Sequence, residues 1–416
     1  MIVLPRHDVM KIAFLFNHDQ IHQVAHSLPI AVAMRRAYPE IEIVAAVTTD
    51  MVAAEVARLS MLLGGRLTIT RLRLTRTSSR IARTVLDGVV PVSKLAIYRD
   101  NIDFFRSLDA LVVAEKTSLL LKKRYGLTDL KIIHTRHGAG DRAIGFNKQS
   151  TGFDHILVSG RKIADRLARD AGVDPARMSI VGYPKFDLMG APAPTLPFAD
   201  PTKPTVLYNP HPSPHLSSWF RHGRAVLEHF LADDRFNLIF APHVMLFHRP
   251  FVVTIDKLRI DRPGRIDDKF LLAPNIHVDL GSRASTDMSY TRAADIYLGD
   301  VSSQIYEFLH TARPCLFLNS NGVDWRGDAN YAHWQAGEVI GDPRDLGAAL
   351  DRAVADHDLY RPIQRELFDR SFDLSGEASS LRAARAIRSV LGLGGDALVL
   401  PERRVAAQPA VAAFNA

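Results

Sequence analysis

Three loops of this chain carry side chains able to hold an anion or move a proton, and each follows a short apolar run. The first is Thr135-Arg136-His137-Gly138-Ala139-Gly140-Asp141-Arg142, behind the run Lys131 to His134. Its glycines let a ligand approach the backbone, Arg136 or Arg142 can hold a phosphate, and His137 has the pKa range of a general base. A turn with a surface histidine has the same composition. The second loop, Ala241-Pro242-His243, closes the run Phe236 to Phe240 and offers His243, either as a cleft residue or as a satisfied structural histidine. The third lies in Ala294 to Leu309, where Ile296 to Leu298 has strand composition and Gly299 and Asp300 punctuate it. Ser302 or Ser303 then caps a helix whose free N–H groups and positive dipole end suit a pyrophosphate, although paired serines also serve as ordinary caps.

The elements that position these loops follow an alternating rhythm. Strands are expected at Lys11 to Phe16, Ile41 to Val47, Leu111 to Ala114, Lys131 to His134, Ile156 to Val158 and Ser179 to Val181, with helices over Ile21 to Tyr38, Met51 to Leu63 and Arg161 to Ala171. A Pro-rich break over 191–204 follows, and the same grammar resumes with strands at Thr205 to Tyr208, Phe236 to Phe240, Ile276 to Val278, Ile296 to Leu298 and Cys315 to Leu318. The expected fold class is therefore α/β, with two Rossmann-like doubly wound domains, 1–190 and 205–375, facing a cleft. A C-terminal helix and a frayed tail complete the chain over 376–416. Ligands of such folds bind at the carboxyl ends of the strands.

Composition narrows the class. With 416 residues, 47% of them hydrophobic, the chain is long enough for two ordinary domains. The single cysteine, Cys315, excludes an internal disulfide framework and fits a reducing compartment and a core position. The N-terminal apolar run is too short for a signal peptide, and no stretch reaches the roughly 18 apolar residues of a membrane span. The expectation is a cytoplasmic protein, either free or peripheral at the inner face of the cytoplasmic membrane. The net charge of +7 suggests an anionic partner. A dense part of it lies in Arg66, Arg71, Arg73, Arg76, Arg80 and Arg83, with Lys122, Lys123 and Arg124 further on. Arg71-Leu72-Arg73-Leu74 alternates like a half-buried strand, and either a solvated face or attraction to an anionic membrane surface accounts for it. No nucleic-acid reader is expected, since one cysteine permits no zinc-finger spacing and the basic residues lack aromatic interleaving. No metal site is expected either: Pro212 and Pro214 argue against a helix bringing His211 and His215 together, and Asp356-His357-Asp358 reads as a solvated helix face.

As an ordered set, His137-Gly138, the Pro-rich loop after Tyr208, Pro242-His243, Ala294-Asp295, Asp300-Val301-Ser302-Ser303 and Glu307 resemble the CDP-glycerol glycerophosphotransferases that build teichoic-acid-type polymers. Gly182-Tyr183-Pro184-Lys185-Phe186-Asp187 is similar to a Gly-x-Pro-Arg-x-Asp segment of that family, with Lys185 in place of arginine. The resemblance covers roughly residues 130 to 320. It implies a GT-B architecture, a nucleotide-activated donor held mainly by the C-terminal domain, and transfer of a polyol phosphate without a metal or other cofactor. By the same resemblance His137 deprotonates the acceptor hydroxyl and His243 stabilises the donor pyrophosphate. By that resemblance Ser302 and Ser303 hold phosphate oxygens and Glu307 lies near the ribose; Asp300 from its motif, and Arg136 and Arg142 from the composition of their own loop, complete the expected donor and phosphate set. One departure is Arg136, which stands where the family often has tryptophan before its His-Gly.

Three readings follow. The first is transfer of glycerol phosphate, or a related polyol phosphate, from a CDP-activated donor to a cell-envelope glycan or lipid-linked acceptor. The second is a GT-B glycosyltransferase or UDP-sugar 2-epimerase-like enzyme. The third is a nucleotide-binding protein without turnover.

Overall fold

The structure, a computed structural model, describes residues 9–17, 21–76, 92–136, 138–189, 194–254 and 259–394. His137, Arg80, Arg83, the start of the Pro-rich break and the C-terminal tail from Gly395 lie outside the described residues.

Seven parallel strands form the first sheet: β1 (Lys11–Phe16), β2 (Glu42–Val47), β3 (Thr68–Arg71), β4 (Ala110–Val113), β5 (Lys131–Thr135), β6 (His155–Val158) and β7 (Met178–Ile180), in the order 3-2-1-4-5-6-7. Near-continuous apolar runs build them because both faces are covered. Alternation divides the central strands, β1, β2, β4, β5 and β6, between two cores. Ile12, Phe14 and Phe16 join one, under the helices Val24–Ala37 and Ser379–Val390, while Ala13 and Leu15 join the other. The terminal helix thus returns to the first sheet, burying Ala383, Ala384 and Ile387 there. Asp187 accepts from the amides of Ser379 and Ser380 at 3.2 and 2.8 Å, which caps that helix onto the Gly182 to Asp187 segment. Gly182, at φ +82°, permits the approach, since a Cβ there would lie 2.3 Å from the Ser379 hydroxyl.

The second sheet contains β8 (Thr205–Asn209), β9 (Asn237–Phe240), β12 (Ile276–Val278), β13 (Ile296–Gly299), β14 (Cys315–Leu318) and β15 (Glu338–Ile340), parallel and in the order 12-9-8-13-14-15. A separate antiparallel pair, β10 (Val252–Thr254) and β11 (Arg259–Asp261), lies between β9 and β12 in the chain. Cys315 is buried in the second lobe's core, where its surroundings push the thiol well up. Strand order reverses between β1 and β4 in one sheet and between β8 and β13 in the other, which opens a crevice at the carboxyl ends.

Some local expectations change. The alternating strand at Arg71 to Leu74 is instead the edge strand β3, which ends at Arg71; Leu72 is buried and Arg73 exposed beyond it. The ordering there comes from pairing with β2, which stops at Val47. Several of the basic residues have acidic neighbours: Arg71 with Asp50 at 3.2 Å, Arg76 with Asp100 at 3.7 Å and Lys122 with Asp154 at 2.6 Å. Asp358 pairs with Arg361 at 2.7 Å. Among the described residues no group of three or more ligating side chains is placed to hold a metal, and no helix is long and apolar enough to cross a membrane.

Candidate active site

Strand register explains how the second lobe builds its side of the cleft. Asn209 pairs with Gly299 and Tyr208 with Phe240, so the residues that follow β8, β13 and β9 emerge side by side. His211 and His243 each stand three residues past a paired position, and their ring centroids are 6.2 Å apart. Asp300, adjacent, accepts from the His211 amide at 2.9 Å, the Ser218 amide at 2.6 Å and the Ser218 hydroxyl at 2.8 Å. Burial pushes its carboxyl up to about 6 despite these donors. Asp300 therefore clamps the β8 and β13 loops together, with its carboxylate enclosed by protein donors.

The first lobe meets this surface through the loop after β5. Arg142 Nη1 lies 3.1 Å from His211 Nε2. Burial, then the Arg142 charge, brings His243 down to about 4, and the same two causes, together with His243 and His215, hold His211 well below the usual range. Both imidazoles are accordingly neutral at pH 7. The Met245 amide donates to His243 Nδ1 at 3.2 Å, so the neutral ring carries its proton on Nε2. Gly138 and Gly140 abut the exposed Ser303: a Cβ at Gly140 would stand 2.9 Å from Ser303 Cβ, and one at Gly138, where φ is +77°, 3.5 Å from its hydroxyl. The loop that carries His137 is thus brought against the β13 loop at both of these glycines.

A buried network holds the lobes in this arrangement. Asp141 contacts Lys162 Nζ at 2.9 Å, Tyr306 Oη at 2.6 Å and His333 Nδ1 at 2.9 Å. His333 Nε2 and Trp334 Nε1 reach the Asp300 carbonyl at 2.9 and 2.7 Å. Burial opposes ionisation of Asp141, but Lys162 and His333 hold its carboxyl well below the usual range, and Lys162 in turn is brought down to about 8 by burial. Local sequence reading overlooked Lys162, Tyr306 and His333, because nothing in their own segments marks them as partners of Asp141.

The remaining candidates separate. Ser302 is buried and donates to Asn209 Oδ1 at 2.5 Å, so its hydroxyl is committed to the protein, whereas Ser303 is exposed. The helix after them is only five residues, Gln304–Phe308, and Ser303 makes no side-chain cap bond. Its macrodipole is correspondingly small, so the charge for an anion comes from Arg142 and neighbouring side chains more than from the helix. Glu307 is engaged by Tyr183 Oη at 2.8 Å and Lys185 Nζ at 2.7 Å. Arg136 stays in the first lobe. Its guanidinium donates to the Gly145 carbonyl at 2.7 Å and lies 4.5 Å from the centre of the Phe146 ring. Arg166 packs on the same ring at 4.1 Å.

No protein-family model and no curated protein sequence matches the chain. Solved structures do. The wall teichoic acid polymerase TagF superposes with a TM-score of 0.57 at 15% identity, over 92% of this chain and 89% of that one. The fold is GT-B-like. S. aureus MnaA, in a co-structure with UDP, matches with a TM-score of 0.58 and 15% identity over 92% of this chain and 98% of that chain. The UDP-GlcNAc 2-epimerase from Neisseria meningitidis, bound to UDP-GlcNAc, gives 0.58 and 12% over 92% and 100%. These likenesses establish the two-lobed GT-B architecture, and with it a cleft between the carboxyl ends of two parallel sheets.

Proposed function

We propose that the protein is an enzyme of group transfer that takes a nucleoside-diphosphate-activated donor in the inter-lobe cleft and moves glycerol phosphate, or a related polyol phosphate, to a hydroxyl acceptor. The observation that carries this reading is the convergence of Arg142, His211, His243 and Ser303 at adjoining strand ends. On this reading 191–204 links an acceptor-side lobe, 1–190, to a donor-side lobe, 205–375. The guanidinium of Arg142 and the Nε2–H of His243 donate to the pyrophosphate, and Ser303 adds a hydroxyl. As the acceptor oxygen bonds to the transferred phosphorus, the anhydride bond breaks, the nucleoside monophosphate leaves and His137 takes the acceptor proton. Such chemistry asks the protein for position and charge stabilisation more than for covalent help. Asp300 and the Asp141 network hold the loops, and Glu307 reaches a ribose only by exchanging part of its bonding to Lys185 and Tyr183.

A second reading, UDP-sugar chemistry by a glycosyltransferase or 2-epimerase, is supported by the near-complete span of the matches to UDP-bound MnaA and to the Neisseria 2-epimerase, 98% and 100% of those chains. A thermal-shift panel with CMP, CDP, CDP-glycerol, UDP, UDP-sugars and GDP separates the two, since a ligand at about 100 times its dissociation constant adds roughly 2.7 kcal/mol. Selective stabilisation by cytidine nucleotides is expected. Selective stabilisation by uridine nucleotides puts the second reading first, and no shift removes both.

A further inference from the structure

Lys116 and Arg136 leave the ends of adjacent strands, β4 and β5, because Val113 pairs with His134. Around them the first lobe gathers more positive charge than it neutralises. Lys162 has Asp141, and Arg166 has Asp170 at 3.1 Å. Arg136 and Lys116 have no carboxylate partner among the described residues. Arg136 bonds to the Gly145 carbonyl, and its Nε is buried with no hydrogen-bond partner among the described residues. Among the described residues Lys116 Nζ donates only to the Asn147 side-chain oxygen, at 2.9 Å. The neighbouring acid, Glu115, is turned to Tyr98 Oη at 2.7 Å and to Thr117 and Ser118. Burial and Arg166 bring Arg136 down to about 10, and burial and Arg136 lower Lys116, which is the behaviour of cations without a counter-ion. A ring face and neutral carbonyls offset a buried charge only in part, so the pair is destabilising until an anion arrives.

We infer that Lys116 and Arg136 form an anion subsite in the first lobe that receives a phosphoester of the acceptor, beside the His137-Gly138 loop. This rests on the proposed reading of the first lobe as the acceptor side. It gives Arg136 a role different from the apolar aromatic residue that often occupies this place in the family the sequence resembles. The phosphoester belongs either to a soluble polyol phosphate or to a lipid headgroup.

The test uses the full chain. sn-Glycerol 3-phosphate is titrated calorimetrically into the protein, with and without saturating CDP or UDP, and vesicles of phosphatidylglycerol in phosphatidylcholine are tested by flotation. Wild type is expected to bind at least one probe, with Lys116→Met and Arg136→Met each weakening it at least tenfold and Arg136→Lys weakening it less. Binding of glycerol 3-phosphate identifies a soluble phosphoester, and Lys116-dependent binding of vesicles alone identifies a lipid-borne one. Nucleotide thermal shifts should be the same in Lys116→Met as in wild type. Lys116→Met also guards against misfolding, since removal of an uncompensated cation should leave the ligand-free melting temperature equal or higher. Failure of wild type to bind either probe, or unchanged affinity in both methionine variants, overturns the subsite. Absence of any nucleotide shift overturns the donor reading instead, while the nucleotide-free titration still decides the subsite.

Discussion

Asp141 and His333 stand 192 positions apart in the chain and 2.9 Å apart in space, one behind β5 of the first sheet and the other between β14 and β15 of the second. Their contact is the centre of a buried network that joins the two lobes, because Tyr306 and Lys162 share the same carboxylate.

Asp141→Asn leaves Lys162 buried without its counter-charge and is expected to cost about 3 kcal/mol at neutral pH, the scale for breaking a buried pair. The sign with pH follows from the carboxyl's lowered value. Its contribution is complete above the unfolded value, about 4, and is lost as pH falls through the folded one. Urea unfolding at pH 7 should therefore separate the variant from wild type, and the gap should close only in strong acid. A gap unchanged by acid would remove the carboxylate from the explanation.

Lys185→Met strands the Glu307 carboxylate in a site where both side chains are at most 8% exposed. A loss of about 3 kcal/mol is expected, with much of it recovered in Lys185→Met/Glu307→Gln, which removes both charges. A double-mutant cycle measures the coupling; additive losses would mean the pair does not couple the lobes.

For His243 the folded value of about 4 lies below the ordinary 6.5. The folded state then binds fewer protons, so stability is full above about pH 6.5 and declines as pH falls toward 4. His243→Gln should flatten that window. A bound pyrophosphate reverses the bias and raises the imidazole's affinity for a proton, so nucleotide binding near pH 5.5 should take up protons in wild type and fewer in the variant. Calorimetry in buffers of different ionisation enthalpy reads this directly, along with a roughly tenfold loss of affinity, the scale of one hydrogen bond to a charged group. Equal proton uptake in both proteins would exclude His243 from the phosphate.

His137→Ala should lower kcat by roughly 100-fold to 10,000-fold and leave donor affinity nearly intact, the signature of a group that acts in the transition state. Near-normal turnover in steady-state assays would remove it from the mechanism.

Gly140→Ala brings a methyl group to 2.9 Å from Ser303 Cβ, closer than such atoms ordinarily approach. Nucleotide affinity should fall as the two loops are forced apart, whereas the first lobe's own core is untouched. Wild-type affinity by thermal shift would show that Ser303 lies off the donor path.

Much of this molecule was determined by local sequence. Apart from the edge strand β3 and the antiparallel pair β10 and β11, which local sequence did not place, the strands from β1 to β14 lie where short apolar runs meet glycine, proline or polar breaks, because burial on both faces of a parallel sheet leaves that signature residue by residue. The positions of His243 and Arg142 behind such runs were legible for the same reason, and so was the core place of Cys315. The tertiary structure decided what those residues touch. Asp300 became an enclosed clamp, Ser302 and Ser303 parted company, and Glu307 found Lys185 across 122 positions. The helix Ser379–Val390 returned to the first sheet instead of trailing the second. Periodicity records how much of each side chain is buried and on which face. It carries no record of which distant segment does the burying, and the charge pairs across the cleft exist only once two separately built sheets meet.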